Sequence, residues 1–195
     1  NLHMSQTVEG RQEIERIMDV KHQLISPASG KAVIGCIHDS ISGLYVMTKY
    51  KTYTRQQAID LLFSVGFEEW ENVDFGAKVK GSEIVSALLP TDLIFVGESS
   101  EGPVEIKNGK LVKGVIDKKT IGDGGGVLLR HLHKNYSADV VLRVIRYMFN
   151  LGIQVLARRG LTVSMEDFDV PKEIEKKVEK INEKVYNRWC GKTFS

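Results

Sequence analysis

The chain has 195 residues, 42% hydrophobic and 27% charged, ordinary values for a soluble globular protein rather than a disordered or membrane one, and is long enough for one substantial domain, with or without an appendage. A formal net charge of +2 gives no general case for nucleic-acid binding, so such a role must rest on local clusters. Cys36 and Cys190 lie far apart without a second Cys or a His at metal-ligand spacing, so two reduced thiols are expected rather than a zinc site.

Over residues 7–20, Val8, Ile14, Ile17 and Met18 recur among charges at helical spacing, predicting a first amphipathic helix. Ser26-Pro27-Ala28-Ser29-Gly30 is turn chemistry, and residues 32–37, with Val33 and Ile34, then read as a short buried strand. Thr54 followed by Gln57 predicts a capping box opening a helix that ends at Gly66. A short helix follows over 82–89, stopped by Pro90. Residues 93–122 read as strand, with the Asn108-Gly109 pair between alternating segments predicting a hairpin. After Gly122–Gly126 a long helix is expected over Ala138–Arg159, with Ser137 as its N-cap and Gly160 as its stop.

Pro171 suits the first turn of a last helix over 172–188, in which six basic residues face four acidic ones. Ile174, Val178, Ile181 and Val185 make a narrow seam there, suited to one partner helix, as if the helix had been cut from a hairpin. The fold class predicted is α+β: a mixed domain with short strands, a hairpin and a long helix, then this one helix. No apolar run reaches the roughly 18 residues of a membrane span, and residues 1–20 do not read as a signal peptide. A cytoplasmic or nuclear protein is expected.

Few motifs carry chemistry on their own. Gly191-Lys192-Thr193 resembles the end of a phosphate-binding loop, but Tyr186 stands where that motif needs glycine. Gly122–Gly126 lacks the third glycine of a dinucleotide fingerprint and reads as a flexible turn. His131 and His133, two apart, cannot share a metal on one helix face. In a strand His38 and Asp39 would face opposite sides, against an acid–base pair. Lys118-Lys119 and Arg158-Arg159 are small basic clusters of the kind usually left to solvent.

Several stretches taken together resemble the largest subunit of cellular RNA polymerases. Asn1-Leu2-His3-Met4-Ser5-Gln6-Thr7 looks like the segment after that family's Asp-rich catalytic loop, with Ser5 in place of the usual Pro. That continuation favours native sequence over a cloning remnant at residues 1–4. The turn from Ile25 to Lys31, the segment Ile34-Gly35-Cys36-Ile37-His38-Asp39-Ser40-Ile41-Ser42-Gly43-Leu44, the element Gly114-Val115-Ile116-Asp117-Lys118-Lys119-Thr120-Ile121-Gly122 and the turn from Gly160 to Asp167 resemble family segments in the same order. The wording is most similar to archaeal members. Residues 187–195 match no segment of it.

The resemblance implies a linker helix over 1–24, a pore domain over 25–165 and the start of a funnel domain over 166–195. It implies a part of DNA-directed RNA polymerase that lines the secondary channel for nucleoside triphosphates and backtracked RNA and has no activity alone. Lys118 and Lys119 would contact triphosphate or RNA, and Ser26, Pro27, Gly30, His38 and Asp39 would shape the inner wall. The Mg2+ of the whole enzyme would be held upstream of this chain, with no catalytic residue or metal ligand within it. The implied partners are the other polymerase subunits, above all the second-largest, together with template DNA, nascent RNA and a transcript-cleavage factor. The competing expectation is an independent module that docks a partner or RNA through the basic helix over 171–188.

Overall fold

The computed structural model describes residues 3–190, an α+β chain that divides into two units, Asn1–Gly160 and Leu161–Ser195. The expectations attached to Asn1, Leu2 and Gly191-Lys192-Thr193 lie outside the described residues.

The first helix is shorter and less regular than its periodicity suggests. Thr7 accepts a hydrogen bond from the Gly10 amide and caps α1 (Val8–Glu13), which widens into a π turn at Ile14–Met18 and closes with a 3-10 turn at Val20–His22. Val8, Ile14, Ile17 and Met18 are all exposed, so no packing enforces a continuous ladder. The strand expected over 32–37 is replaced by two single bridges, Ile25 with Ala32 and Cys36 with Gly122. Gly35 explains the change: a Cβ there would lie 2.6 Å from the Asp123 nitrogen, so the chain follows the glycine loop and not a partner strand.

Residues 39–50, for which sequence reading names no element, form α2 (Asp39–Tyr50). The Ser40 hydroxyl donates to the Ile37 carbonyl at 2.6 Å and accepts from the Ile37 amide at 3.0 Å, folding the chain back to start the helix. His38, at the N-cap, takes φ 47°. It and Asp39 therefore belong to a helix start and not to a strand, because Ser40 captures the Ile37 groups a ladder would need.

Short strands β1 (Thr52–Thr54) and β2 (Lys78–Lys80) pair antiparallel with Tyr53 opposite Val79. Between them runs α3 (Arg55–Ser64), opened by the expected box of Thr54 and Gln57 and followed by Gly66 at φ 75°. α4 (Gly81–Ala87) ends ahead of Pro90. The strands β3 (Phe95–Ser99), β4 (Gly102–Lys107) and β5 (Lys110–Lys113) form an antiparallel meander. Asn108 and Gly109 both have positive φ, 49° and 71°, as the expected two-residue hairpin turn requires.

The strand pattern stops at Lys113 instead of reaching Gly122. Asp117 caps a short turn of helix, α5 (Lys118–Ile121), and α6 (Val127–Asn135) and α7 (Ala138–Arg159) follow. α7 matches its predicted bounds, and Gly160 ends it at φ 74°. By length and composition it could cross a membrane, but Val141, Val144, Ile145, Met148, Leu151 and Val155 are buried within the protein.

The core of the first unit is organised around the packing of α2 on α7. A Cβ on Gly43 would sit 1.9 Å from the Gly152 carbonyl oxygen, and one on Gly152 would sit 2.0 Å from that of Ser40. Gly81, at the start of α4, makes a similar approach, 2.1 Å from the Met47 carbonyl oxygen. Around these contacts Leu44, Met47, Leu61, Leu62, Ile84, Leu128 and Leu132 are buried.

In the second unit Ser164 and Asp167 close a capping box around a 3-10 turn at Met165–Phe168, and α8 (Lys172–Cys190) follows Pro171. Its seam of Ile174, Val178, Ile181 and Val185 is exposed.

Gly152→Ala is expected to destabilise the first unit by about 2–3 kcal/mol, because the new methyl group meets backbone that cannot yield locally. Gly125→Ala, where a Cβ meets nothing within 4 Å, is the control and should change little. Urea denaturation of both variants makes the comparison.

Candidate functional site

Two segments far apart in sequence meet in the structure. The amide of Cys36 donates to the Ile121 carbonyl at 3.0 Å, the Asp123 amide to that of Cys36 at 3.3 Å, and the Gly124 amide to that of Ala32 at 2.9 Å. The stretch after the Ser26–Gly30 turn is thereby laced to the loop that follows the two lysines. Gly122 packs against Lys118, where a Cβ would fall 2.4 Å from its carbonyl oxygen, and Gly124 needs φ 70°. The glycine loop, expected to be a flexible turn, is pinned by these bonds; close approach requires Gly122 and the positive φ favours glycine at 124.

Lys118 and Lys119 occupy the first turn of α5, and that turn is held from three sides. The Asp117 carboxylate accepts from the Thr120 amide at 3.0 Å and from the Ser100 amide at 2.7 Å. The Thr120 hydroxyl accepts from the Asp117 amide at 2.8 Å. One residue earlier, the Ile116 amide donates to the Thr48 hydroxyl of α2 at 3.2 Å. Glu101, beside Ser100, pairs with Lys49 and accepts from Tyr45, and the Lys49 ammonium also lies over the Tyr45 and Tyr50 rings at 5.0 and 4.9 Å. The Glu101 carboxylate holds the Lys49 ammonium well above its usual range. The supports of the lysine turn are thus α2, the β3–β4 turn and its own capping box.

The two lysines are not equivalent. Lys119 donates to Glu98 on β3 at 3.2 Å, which shares its charge with a carboxylate. Lys118 makes no ion pair among the described residues and remains exposed. Ser26 is half-buried, its amide bonded to the Lys31 carbonyl at 2.9 Å, while Pro27 and Gly30 are exposed and Gly30 turns the chain at φ 63°. His38 and Asp39 are exposed at the start of α2, with no hydrogen bond between their side chains. The structure joins the backbone of the two segments and leaves these side chains as separate parts of an open surface.

Burial pushes the Asp117 carboxyl up, but the amides of Ser100 and Thr120 and their hydroxyls outweigh it and hold it below the ordinary aspartate value. Burial, only partly offset by a hydrogen bond with Ser40, pushes the Cys36 thiol up to about 12, which makes it a packing group and not a nucleophile. His131 lies edge-on to Phe95 at 5.4 Å, whereas His133 has a buried, unpartnered Nε2 and a value lowered by burial. Among the described residues no three His, Cys, Asp or Glu side chains converge on a point that could hold a metal ion. Sequence reading missed Thr48, Glu98, Asp117 and Thr120. The spacing of Asp117 and Thr120 carried a helix-start signal, while Thr48 and Glu98 carried none.

The family described as RNA polymerase Rpb1, domain 3, matches residues 23–168. The chain is 31% identical to the DNA-directed RNA polymerase subunit Rpo1N of Methanothermobacter thermautotrophicus, over 92% of this chain and 22% of that protein. It is 33% identical to the subunit of that name from Methanocaldococcus jannaschii, over 93% of this chain and 15% of that protein. For Sulfolobus acidocaldarius the identity is 30%, over 91% and 23%. The chain thus spans less than a quarter of the length of these curated relatives.

Asp117 supplies a stability term with a defined pH window. Its folded value lies below the ordinary 3.8, so the contribution is fully present above that pH and is lost as pH falls through the folded value. Asp117→Asn should cost about 1–3 kcal/mol at neutral pH and flatten this acid limb. Denaturation midpoints measured between neutral and acid pH would show both effects.

Proposed function

The chain belongs to the RNA polymerase Rpb1 domain 3 family, and from that premise we propose that it lines the secondary channel of a DNA-directed RNA polymerase. Through that passage nucleoside triphosphates reach the active centre and the 3′ end of backtracked RNA leaves it. The observation that carries the reading is the clamped turn that presents Lys118 and Lys119 beside the laced segments of 32–36 and 121–124. A pair of lysines on a clamped turn next to a glycine-rich backbone suits triphosphate or RNA phosphate, since positive potential in a narrow passage concentrates anions. Ser26, Pro27, Gly30, His38 and Asp39 shape the wall in this reading.

The nucleotidyl transfer itself belongs to the whole polymerase, whose Mg2+ would be held by residues outside this chain. Its partners would be the other subunits, especially the second-largest, with template DNA, nascent RNA and a transcript-cleavage factor entering the same opening. It would work in the archaeal cytoplasm, or in the nucleus of a eukaryote. In a reconstituted polymerase, Lys118→Ala is expected to raise KM for nucleoside triphosphates about tenfold with little change in kcat. Lys119→Ala should do less, because Glu98 already shares its charge. Unchanged KM and unchanged cleavage of backtracked RNA in both variants would reject the role.

The exposed seam and basic excess of α8 favour a second reading, an independent module that docks a partner or RNA through 171–188. It requires RNA binding by the 195-residue chain that weakens steeply with salt and falls with Lys176→Gln and Lys180→Gln. Electrophoretic mobility shifts at two salt concentrations decide it: no shift at low salt removes the RNA form of this reading.

A further inference from the structure

We propose that the cleft at the C-terminal end of α7 is a binding site for a small phosphate-bearing molecule, gripped by Lys51, Arg158 and Arg159. The cleft has a volume of about 420 Å³, within the range of small-molecule sites. It shares none of the residues placed on the channel surface above, and the inference does not rest on that reading.

Its composition is selective. Lys51 follows α2, Arg158 and Arg159 end α7, and the fold brings all three to one concavity lined by no carboxylate. None of the three forms an ion pair among the described residues. Three like charges gathered around a recess repel one another, and a bound anion relieves that repulsion. Their charge reaches the interior of the cleft: burial pushes the Tyr53 phenol up, while Arg159 and then Arg158 pull it back.

The neutral lining fits the same ligand. Gln57 accepts from the Thr54 amide through Oε1 at 3.0 Å, which leaves its NH2 group oriented and free to donate. Thr52 adds a hydroxyl, and buried Leu61 and Val155 give an apolar floor beside the Tyr53 ring. Two arginine forks, an ammonium and these donors outnumber the acceptors of a single carboxylate and match the oxygens of a phosphate or diphosphate. The floor offers the organic part of such a molecule an apolar contact. The lining belongs to β1, α3 and α7 and to Lys51 between α2 and β1, so the geometry is set before binding.

Calorimetric titration of the 195-residue chain with inorganic pyrophosphate, ADP and a short single-stranded RNA tests the site. The measurement is made in wild type and in a Lys118→Gln/Lys119→Gln background, which removes the other lysine pair. Pyrophosphate and ADP are expected to bind at one site in both. Arg158→Gln/Arg159→Gln should weaken them about a hundredfold, and Arg158→Lys should retain measurable binding. Thermal melting of the double arginine variant should match wild type, since both side chains are exposed and unpaired. The proposal is overturned if neither small anion binds, if binding survives loss of both arginines, if it disappears with Lys118 and Lys119, or if only the RNA binds.

Discussion

The contact between Gly43 and Gly152 is the constraint from which the rest of the first unit follows. Helices meet this closely only where neither carries a side chain, and here each glycine faces a carbonyl oxygen of the opposite helix. The approach draws Leu44 and Met47 into a buried layer with Met148 and Leu151 and leaves α2 no freedom to slide along α7. Gly81 fixes α2 again through Met47, so the helix is located by two backbone contacts. Backbone against backbone transmits position more faithfully than side chains that can change rotamer.

That position is passed on to the lysine turn. Thr48 sits one helical turn beyond Leu44, to whose carbonyl it donates at 2.8 Å, and its hydroxyl receives the Ile116 amide. Asp117 follows directly and spends its buried carboxylate on the amides of Ser100 and Thr120. A displacement of α2 would therefore reach Lys118 through two hydrogen bonds, without any contact between helix and lysine. The Cys36 bridge to Gly122 ties the other end of α5 to the segment that begins with the Ser26 turn. A surface that looks like an assembly of loops is fixed at several points by backbone hydrogen bonds.

α2 and α7 also account for the second concentration of positive charge. Lys51 follows one helix and Arg158 and Arg159 end the other, so the packing that builds the core gathers three cations at its edge. The second unit is organised differently: its 3-10 turn is closed by the Ser164 and Asp167 box, α8 starts on the Pro171 carbonyl, and the apolar seam of α8 is exposed.

The sequence by itself determined the elements whose signals are local. The Thr54 and Gln57 box, the Asn108-Gly109 hairpin turn and both ends of α7 depend on residues within a few positions of one another, and the structure shows each of them. The family was legible too, because five separated stretches had to agree in order, and the family match over 23–168 spans four of them. Tertiary structure decided the remainder. α2 went unseen because its identity rests on Ser40 closing back on Ile37 and on a glycine that only α7 explains. The strand expected at 32–37 dissolved because Gly35 must lie against Asp123, 88 positions further along the chain. The difference between Lys118 and Lys119 also lay outside the sequence, since Glu98 becomes a partner only once β3 and α5 are folded against each other. Local chemistry names the turns and caps; close approach between distant backbones decides which of the remaining segments become helix, bridge or site.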